Sequence, residues 1–169
     1  MTIFETPRMI VRRFAAADAD DFFLLNSDAS VMHFIRPPKN REQSDAFLQE
    51  NIGFYLDSSV LGRFAVYDKL STQFLGTFSF LYLSGDANFH IGYALLPSAW
   101  GKGYATELVK AGTPYFFDHT HRDALFAITH PDNLPSQQVL LKSGYRRDGQ
   151  IEEHGAKLEL FVINRAVAP

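Results

Sequence analysis

Residues 95–107 of the chain read Leu-Leu-Pro-Ser-Ala-Trp-Gly-Lys-Gly-Tyr-Ala-Thr-Glu, and this stretch decides the fold. An apolar run typical of a strand ends in a loop with Gly101 and Gly103, and a helical pattern begins directly after the second glycine. Glycines let the backbone approach a ligand closely, and the first turn of a helix offers unpaired N–H groups and a positive dipole end. The stretch therefore predicts a phosphate site, although a plain strand-to-helix connection has the same outline.

Two better-known phosphate loops do not match this stretch. A Walker A loop requires Gly-Lys-Ser or Gly-Lys-Thr at its end, whereas Lys102 lies between the two glycines. A dinucleotide fingerprint requires a third glycine where the chain has Thr106. The chain after Gly103 is also too short for the remainder of a doubly wound domain.

The loop resembles the Arg/Gln-x-x-Gly-x-Gly/Ala signature with which the GNAT superfamily of acetyltransferases binds acetyl-CoA. Gly103 and Ala105 stand at its two small positions. The flanking segments are similar to the branch that includes the ribosomal-protein N-terminal acetyltransferases. These segments are residues 5–13, 27–32, 91–97, 131–136 and 143–149. The resemblance covers nearly the whole chain and implies one N-acetyltransferase domain over residues 1–169.

The composition agrees with a one-domain enzyme and excludes several other classes. The chain has 169 residues, of which 46% are hydrophobic and 21% charged, enough for a single core. It has no cysteine, which excludes disulfides, thiolate zinc sites and cysteine nucleophiles. A net charge of −3 without a basic run argues against a nucleic-acid partner. Since no segment resembles a signal peptide or reaches the about 18 apolar residues of a membrane span, we expect a cytoplasmic protein.

The order of the predicted elements is β-α-α-β-β-β-α-β-α-β-β. The predicted strands are 9–14, 62–67, 74–82, 89–95, 124–129, 145–151 and 158–163. Four helices are predicted, of which the second covers residues 41–56 and the fourth residues 134–143. Asp18 is expected to cap the first helix. The third helix is expected to run from the glycine loop to about Asp118, with Pro114 kinking or shortening it. This order predicts a three-layer mixed α/β fold. The resemblance implies its GNAT form, with a mostly antiparallel sheet that splays between its fourth and fifth strands.

In that fold, the resemblance implies that acetyl-CoA lies in the cleft where the strands splay. Backbone groups of Leu95 and Leu96 are expected to bond the pantetheine arm, while loop N–H groups hold the pyrophosphate. The expected cofactor contacts in the loop are Trp100, Gly101, Lys102, Gly103, Tyr104, Ala105 and Thr106. Trp100 departs from the family pattern, in which Arg or Gln is usual. We expect the amides to carry the pyrophosphate and the indole to cover the edge of the cofactor.

The reaction needs a base and an acid, because an ammonium cannot attack a thioester and the CoA thiolate leaves better when it is protonated. Asn133 and Ser136 match an Asn-x-x-Ser arrangement at the start of a helix. In relatives with this pattern, the asparagine contacts the cofactor and the serine can act on the leaving sulfur. Leu140 occupies the position of a tyrosine that many other members use, so Ser136 is the candidate acid. A serine in the first turn of a helix is also commonly a simple cap.

His90 is the candidate base. Related sequences commonly read Glu-Ile-Gly-Tyr where this chain reads His-Ile-Gly-Tyr at residues 90–93. A histidine, with its reference pKa of about 6.5, can accept a proton near neutral pH. The alternative is a neutral imidazole bonded to a neighbouring strand. His119 and His121 lie at a predicted helix end, where the dipole favours them, and no metal is expected there or elsewhere.

The acceptor has no readable motif. At pH 7 a peptide α-amino group, with a pKa of about 7.7–8.0, is neutral about a tenth of the time, and a lysine amine far less. A peptide or protein N-terminus is therefore the easier acceptor for a weak base. The aromatic residues expected near the cleft, which suit an apolar acceptor as well as a core, are Phe34, Phe80, Tyr82 and Phe89. A small-molecule amine acceptor, a non-catalytic acyl-CoA sensor, a nucleotide-dependent oxidoreductase and a homodimer are alternatives that the sequence leaves open.

Overall fold

The computed structural model describes residues 1–56, 60–83, 85 and 87–166, and its centre is an eight-stranded sheet. The strands are β1 (Thr2–Glu5), β2 (Met9–Arg13), β3 (Gly62–Asp68), β4 (Phe74–Leu83), β5 (Asn88–Leu95), β6 (Ala124–Thr129), β7 (Arg146–Glu153) and β8 (Ala156–Asn164). Their order in the sheet is β1-β2-β3-β4-β5-β6-β8-β7. Neighbours pair antiparallel except β5 and β6, which are parallel. This confirms the predicted mixed, mostly antiparallel sheet.

Helices cover both faces of the sheet. The helices are α1 (Ala19–Ser27), α2 (Ala29–Met32), α3 (Arg41–Phe54), α4 (Tyr104–Asp118) and α5 (Leu134–Lys142). Along β3, Phe64 packs in the core cluster that includes Leu108 of α4, while Ala65 joins the cluster that includes Phe22 of α1. Because neighbouring side chains of a strand point to opposite faces, both faces are apolar and the fold has three layers. No helix in the described part of the chain is long and apolar enough to span a membrane.

Two short elements, β1 and α2, are additional to the predicted order. Strand β1 has four residues, of which Ile3 is buried, and this is too few for an alternating pattern to show. Helix α2 also has four residues, and the carboxylate of Asp28 caps it by accepting the N–H groups of Ser30 and Val31. Neither element changes the layers.

The ends of the other elements differ from the prediction by two residues or fewer. Asp18 directly precedes α1 as predicted, but its side chain does not cap that helix. Its carboxylate accepts hydrogen bonds from Arg12 and from the N–H of Ala15 instead. Pro114 does not shorten α4, which continues to Asp118. This proline removes one helical hydrogen bond, and the packing of α4 on the sheet supplies the stability that the helix needs there.

The sheet splits between β5 and β6. Pairing of these strands is confined to His90 with Phe126 and Ile91 with Ala127, although both strands continue past these pairs. The splay predicted between the fourth and fifth predicted strands lies here, because β1 adds one to the count. Helix α4 starts shortly after the end of β5, and α5 shortly after the end of β6. The N-termini of both helices are therefore placed at the split.

Candidate active site

The glycine loop between β5 and α4 leaves a helix end open to an anion. Gly101 has φ +70° and Gly103 has φ +78°, in the left-handed region that other residues adopt only with strain. The first helical hydrogen bond of α4 runs from the N–H of Glu107 to the carbonyl of Gly103, so the N–H groups of residues 104–106 lack helical acceptors. Within the part of the chain that the structure describes, no side chain caps α4, whereas Asn133 caps α5. The predicted loop thus has the geometry of a phosphate site.

Arg8, in the turn between β1 and β2, contacts both the glycine loop and the first turn of α4. Its Nε donates to Glu107 Oε2 at 2.7 Å and its backbone N–H donates to Glu107 Oε1 at 3.0 Å. Its Nη1 donates to the carbonyl of Lys102 at 2.9 Å, and its guanidinium lies 4.2 Å from the centre of the Tyr104 ring. These contacts fix the loop and add a positive charge beside it. The sequence interpretation assigned Arg8 no role, because its partners lie about a hundred residues away.

Trp100 contacts the end of β5. Its indole Nε1 donates to the carbonyl of Leu95 at 2.7 Å, and the side chain is about half exposed. The N–H of Leu96 donates to the carbonyl of Leu75, and the carbonyl of Leu96 accepts the N–H of Ala99. Both backbone groups of Leu96 are therefore used within the protein. The carbonyls of the two leucines accept one hydrogen bond each here, so each retains a second lone pair for a ligand.

A pair of hydroxyl groups joins the two sides of the split. The hydroxyl of Tyr93 on β5 lies 2.8 Å from Ser136 Oγ on α5, and either oxygen can donate. Burial raises the pKa of Tyr93 to about 12, and the bond to Ser136 offsets part of this effect. The N–H of Ser136 donates to Oδ1 of Asn133, so the capping role considered for Ser136 belongs to Asn133. The Ser136 hydroxyl is therefore free to bond with the hydroxyl of Tyr93, and both hydroxyl groups stay protonated at neutral pH.

Tyr93, like Arg8, is a residue of the candidate site to which the sequence interpretation gave no role. Alternation along β5 places Tyr93 on the same face as the buried residues Ile91 and Leu95, and His90 on the opposite face. That alternation is readable from the sequence. The contact of Tyr93 with the first turn of α5 depends on how α5 packs, and no local pattern reports it.

His90 lies on the face of the sheet that α3 covers, paired with Leu81 of β4. Its side chain is half-buried, and its Nδ1 is buried without a hydrogen-bond partner among the described residues. The pKa of His90 is lowered to about 4, mainly by burial and to a smaller extent by the charge of Arg63. A hydrogen bond with the backbone of Ile91 and the charge of Glu153 act in the opposite direction and raise the pKa. The ring is therefore neutral at pH 7. Titration near 6.5, as expected from the sequence, is not what this environment produces.

The other histidines and the aromatic residues have ordinary roles. Nδ1 of His119 lies 2.8 Å from the carbonyl of Tyr115 at the C-terminus of α4, as the helix-end interpretation predicts. Phe80 and Phe89 are buried in the core. Phe34, which follows α2, stacks on His130, which follows β6, with ring centres 5.1 Å apart. Phe34 thus contacts the segment that follows β6.

We expect the stability of the protein to depend on pH through His90. The pKa of His90 is about 4 in the folded state and about 6.5 in the unfolded chain, so the unfolded state binds more protons between these values. The folded state therefore keeps its full stability above pH 6.5, where His90 is neutral in both states, and loses stability as the pH falls from 6.5 towards 4. In urea titrations, His90→Gln should lose about 1 kcal/mol less than wild type between pH 7.5 and pH 5, after allowance for solvent screening. Equal losses in the two proteins would show that His90 is not buried as described.

Known proteins resemble the chain over most of its length. The family model for the acetyltransferase (GNAT) domain matches residues 8–146. The uncharacterised N-acetyltransferase YnaD of Bacillus subtilis is 29% identical over 147 residues, which are 85% of this chain and 82% of YnaD.

Solved structures share the fold. An acetyltransferase of the GNAT family from Bacillus anthracis has a TM-score of 0.82 at 25% identity, covering 97% of this chain and 98% of that one. RimL, a ribosomal L7/L12 alpha-N-protein acetyltransferase solved with coenzyme A, has a TM-score of 0.81 at 16% identity, covering 97% and 98%. At 16% identity, this second likeness shows the fold alone. Since the family model matches residues 8–146, which are most of the chain, the chain belongs to the GNAT family of acetyltransferases.

Proposed function

We propose that the protein is an N-acetyltransferase, a single domain over residues 1–169, that moves an acetyl group from acetyl-CoA to a primary amine. The observation that carries the proposal is the uncapped start of α4 beside the split, where Gly101 and Gly103 hold the backbone in a left-handed conformation. A diphosphate fits such a site because backbone N–H groups and the helix dipole both favour an anion.

The residues around the loop would hold acetyl-CoA, which supplies the acyl thioester. The N–H groups of residues 104–106 bind the pyrophosphate, and the exposed Lys102 adds charge beside it. Arg8 keeps the loop in place through the carbonyl of Lys102. Leu95 offers its backbone to the pantetheine arm, and Trp100 covers the arm from the exposed side. Asn133 lies at the start of α5, on the β6 side of the split.

The hydroxyl pair of Tyr93 and Ser136 supplies the acid. The amine nitrogen forms a bond to the acetyl carbon, the carbon–sulfur bond breaks, and Ser136 gives its proton to the sulfur. Tyr93 then passes its own proton to Ser136 across the 2.8 Å contact and is reprotonated from water, which also takes up the proton that the amine has lost. The amine loses its own proton to the neutral His90 or to a water that His90 holds. Because the pKa of His90 is about 4, we expect the pH profile of kcat/KM to show no titration of His90 near pH 6.5.

The acceptor is a primary amine, and a peptide or protein N-terminus suits this site best. His90 is a weak base, and an α-amino group needs less help to lose its proton than a lysine amine does. Small-molecule amines form the second class of acceptor to be tested.

Ligand binding distinguishes this function from its alternatives. We expect acetyl-CoA and CoA to raise the melting temperature, by the equivalent of about 2.7 kcal/mol at a hundredfold excess over Kd, and NAD to leave it unchanged. Trp100 is the only tryptophan, so its fluorescence reports the same binding. Release of the CoA thiol with peptides and small amines then tests turnover. Stabilisation by NAD alone would indicate an oxidoreductase, and CoA binding without transfer to any amine would indicate a sensor.

A further inference from the structure

A cavity lies on the α3 side of the sheet, apart from the residues expected to bind the cofactor. Its volume is about 170 Å³. It is lined by Phe47, Glu50, Asn51, Phe54, Arg63 and Leu81, which come from α3, β3 and β4. None of these residues belongs to the glycine loop or to the hydroxyl pair.

The guanidinium of Arg63 in this cavity has no polar partner among the described residues. It forms no hydrogen bond or ion pair with any residue that the structure describes, and its nearest aromatic neighbour is Phe47, whose ring centre is 4.8 Å away. Burial and, to a smaller extent, the charge of Arg36 lower the pKa of Arg63 to about 10, so the group is still a cation at neutral pH. A guanidinium has five N–H donors, and no described residue accepts those of Arg63.

The backbone of Arg63 is firmly held, so the side chain starts from a fixed point. Its N–H donates to Oδ1 of Asn51 at 3.1 Å, and its carbonyl accepts from Nδ2 of Asn51 at 2.9 Å. The hydroxyl of Tyr55 also donates to this carbonyl. A rigid base of this kind favours the recognition of a ligand over a loose surface charge.

The surroundings of the cavity are positively charged. Arg36 and Lys39 also lie over the Phe47 ring, at 5.0 and 4.9 Å from its centre. The Nε of Arg36 is buried without a partner among the described residues. Glu50 is the one carboxylate in the lining; it is exposed and forms no ion pair with Arg63 in the described structure. Three cationic side chains thus surround the Phe47 ring, and the described lining of the cavity contains one carboxylate.

The cavity lies close to the proposed reaction centre. Arg63 pairs with Ser79 of β4, and Ser79 pairs with Gly92 of β5, so two strand spacings of about 10 Å in total separate Arg63 from Gly92. Gly92 and His90 are on the same face of β5 because they are two residues apart. The charge of Arg63 also acts on His90. An acceptor whose amine is at the split can thus reach Arg63 with another group.

We propose that Arg63 binds a carboxylate of the acceptor in this cavity. The inference rests on the proposed function and narrows it: the substrate is a primary amine that also carries a carboxylate, such as an amino acid or a peptide with an acidic residue near its N-terminus. A guanidinium matches the two oxygens of a carboxylate in a fork geometry. The nearby Glu50 disfavours a group with two negative charges.

The test uses acceptor pairs that differ in charge alone. One arm compares peptides with Asp or Asn at the second position, and the other compares free alanine with alanine amide, which separates peptides from amino acids. We expect wild type to prefer the acidic member of at least one pair by tenfold or more in kcat/KM. Arg63→Gln should lower kcat/KM for that acidic member about 30-fold and leave its neutral partner and the Kd of CoA within twofold. Lys39→Gln, which removes a charge from the same ring outside the lining, should keep the preference.

The outcomes separate the inference from the proposed function. Equal acetylation of acidic and neutral acceptors by wild type overturns the inference and leaves the acetyltransferase activity in place. A preference that survives in a folded Arg63→Gln protein overturns the role of Arg63. If no amine is acetylated, the proposed function fails and the inference fails with it. Should Arg63→Gln not fold, Arg63→Lys decides, because it keeps the charge but loses the fork and should retain part of the preference.

Discussion

Valine at position 103 is expected to lower the affinity for CoA about 100-fold. The backbone of Gly103 has φ +78°, a region that costs other residues about 1–2 kcal/mol and β-branched ones more. A valine therefore moves the loop, and the N–H groups of residues 104–106 no longer converge on the pyrophosphate. Hydrogen bonds to charged groups contribute about 1.5–3 kcal/mol each, so the loss of one or two gives an effect of this size. Titration calorimetry measures it directly.

Two further variants separate ligand binding from backbone strain. Gly155 has φ +76° in the turn between β7 and β8, and a Cβ there meets nothing within 4 Å. Gly155→Val therefore carries similar strain away from the loop, and its Kd for CoA should stay within twofold of wild type. In Gly103→Ala the new Cβ lies 3.6 Å from Nη2 of Arg8, an ordinary contact, so a smaller loss is expected. An unchanged Kd in a folded Gly103→Val protein would contradict the assignment of the loop.

The fold was predictable where its signals are local. The glycine loop follows directly from two glycines between a strand and a helix, and each long strand shows its own apolar pattern. Strand β1 carries too few residues to show one, and its place at the sheet edge depends on pairing with β2. Asp18 shows a different limit, because its position before α1 is a cap signal but Arg12 binds its carboxylate.

The parts of the site that could not be predicted depend on contacts between distant segments. Ser136 is a candidate from its motif, whereas its partner Tyr93 is 43 residues away and meets it only after α5 packs against β5. The pKa of His90 is set by burial and by charges from other strands. The identity of a residue states its reference pKa, and the folded surroundings determine how far the real value departs from it.

Ser136→Ala is expected to lower kcat about 100-fold while the Kd for CoA changes less than twofold. General acid catalysis contributes about 10²–10⁴ in rate, and the serine hydroxyl acts on the sulfur only as the carbon–sulfur bond breaks. Stability should fall by only about 1 kcal/mol, because Asn133 caps α5 and the variant leaves one Tyr93 hydroxyl without its partner. Steady-state kinetics with CoA titration separates these effects.

Tyr93→Phe and Ser143→Ala show whether the effect comes from a proton path. Tyr93→Phe should lower kcat about tenfold, and combining it with Ser136→Ala should add little, because the two hydroxyls act as one unit. Ser143 lies at the other end of α5 and donates to the carbonyl of Val139 at 2.7 Å, so Ser143→Ala removes a serine hydroxyl from the same helix without touching the split. Its kcat should match wild type. If Ser136→Ala kept its kcat and lost only stability, the hydroxyl pair would be a packing contact, and the acid would have to come from another residue or from water.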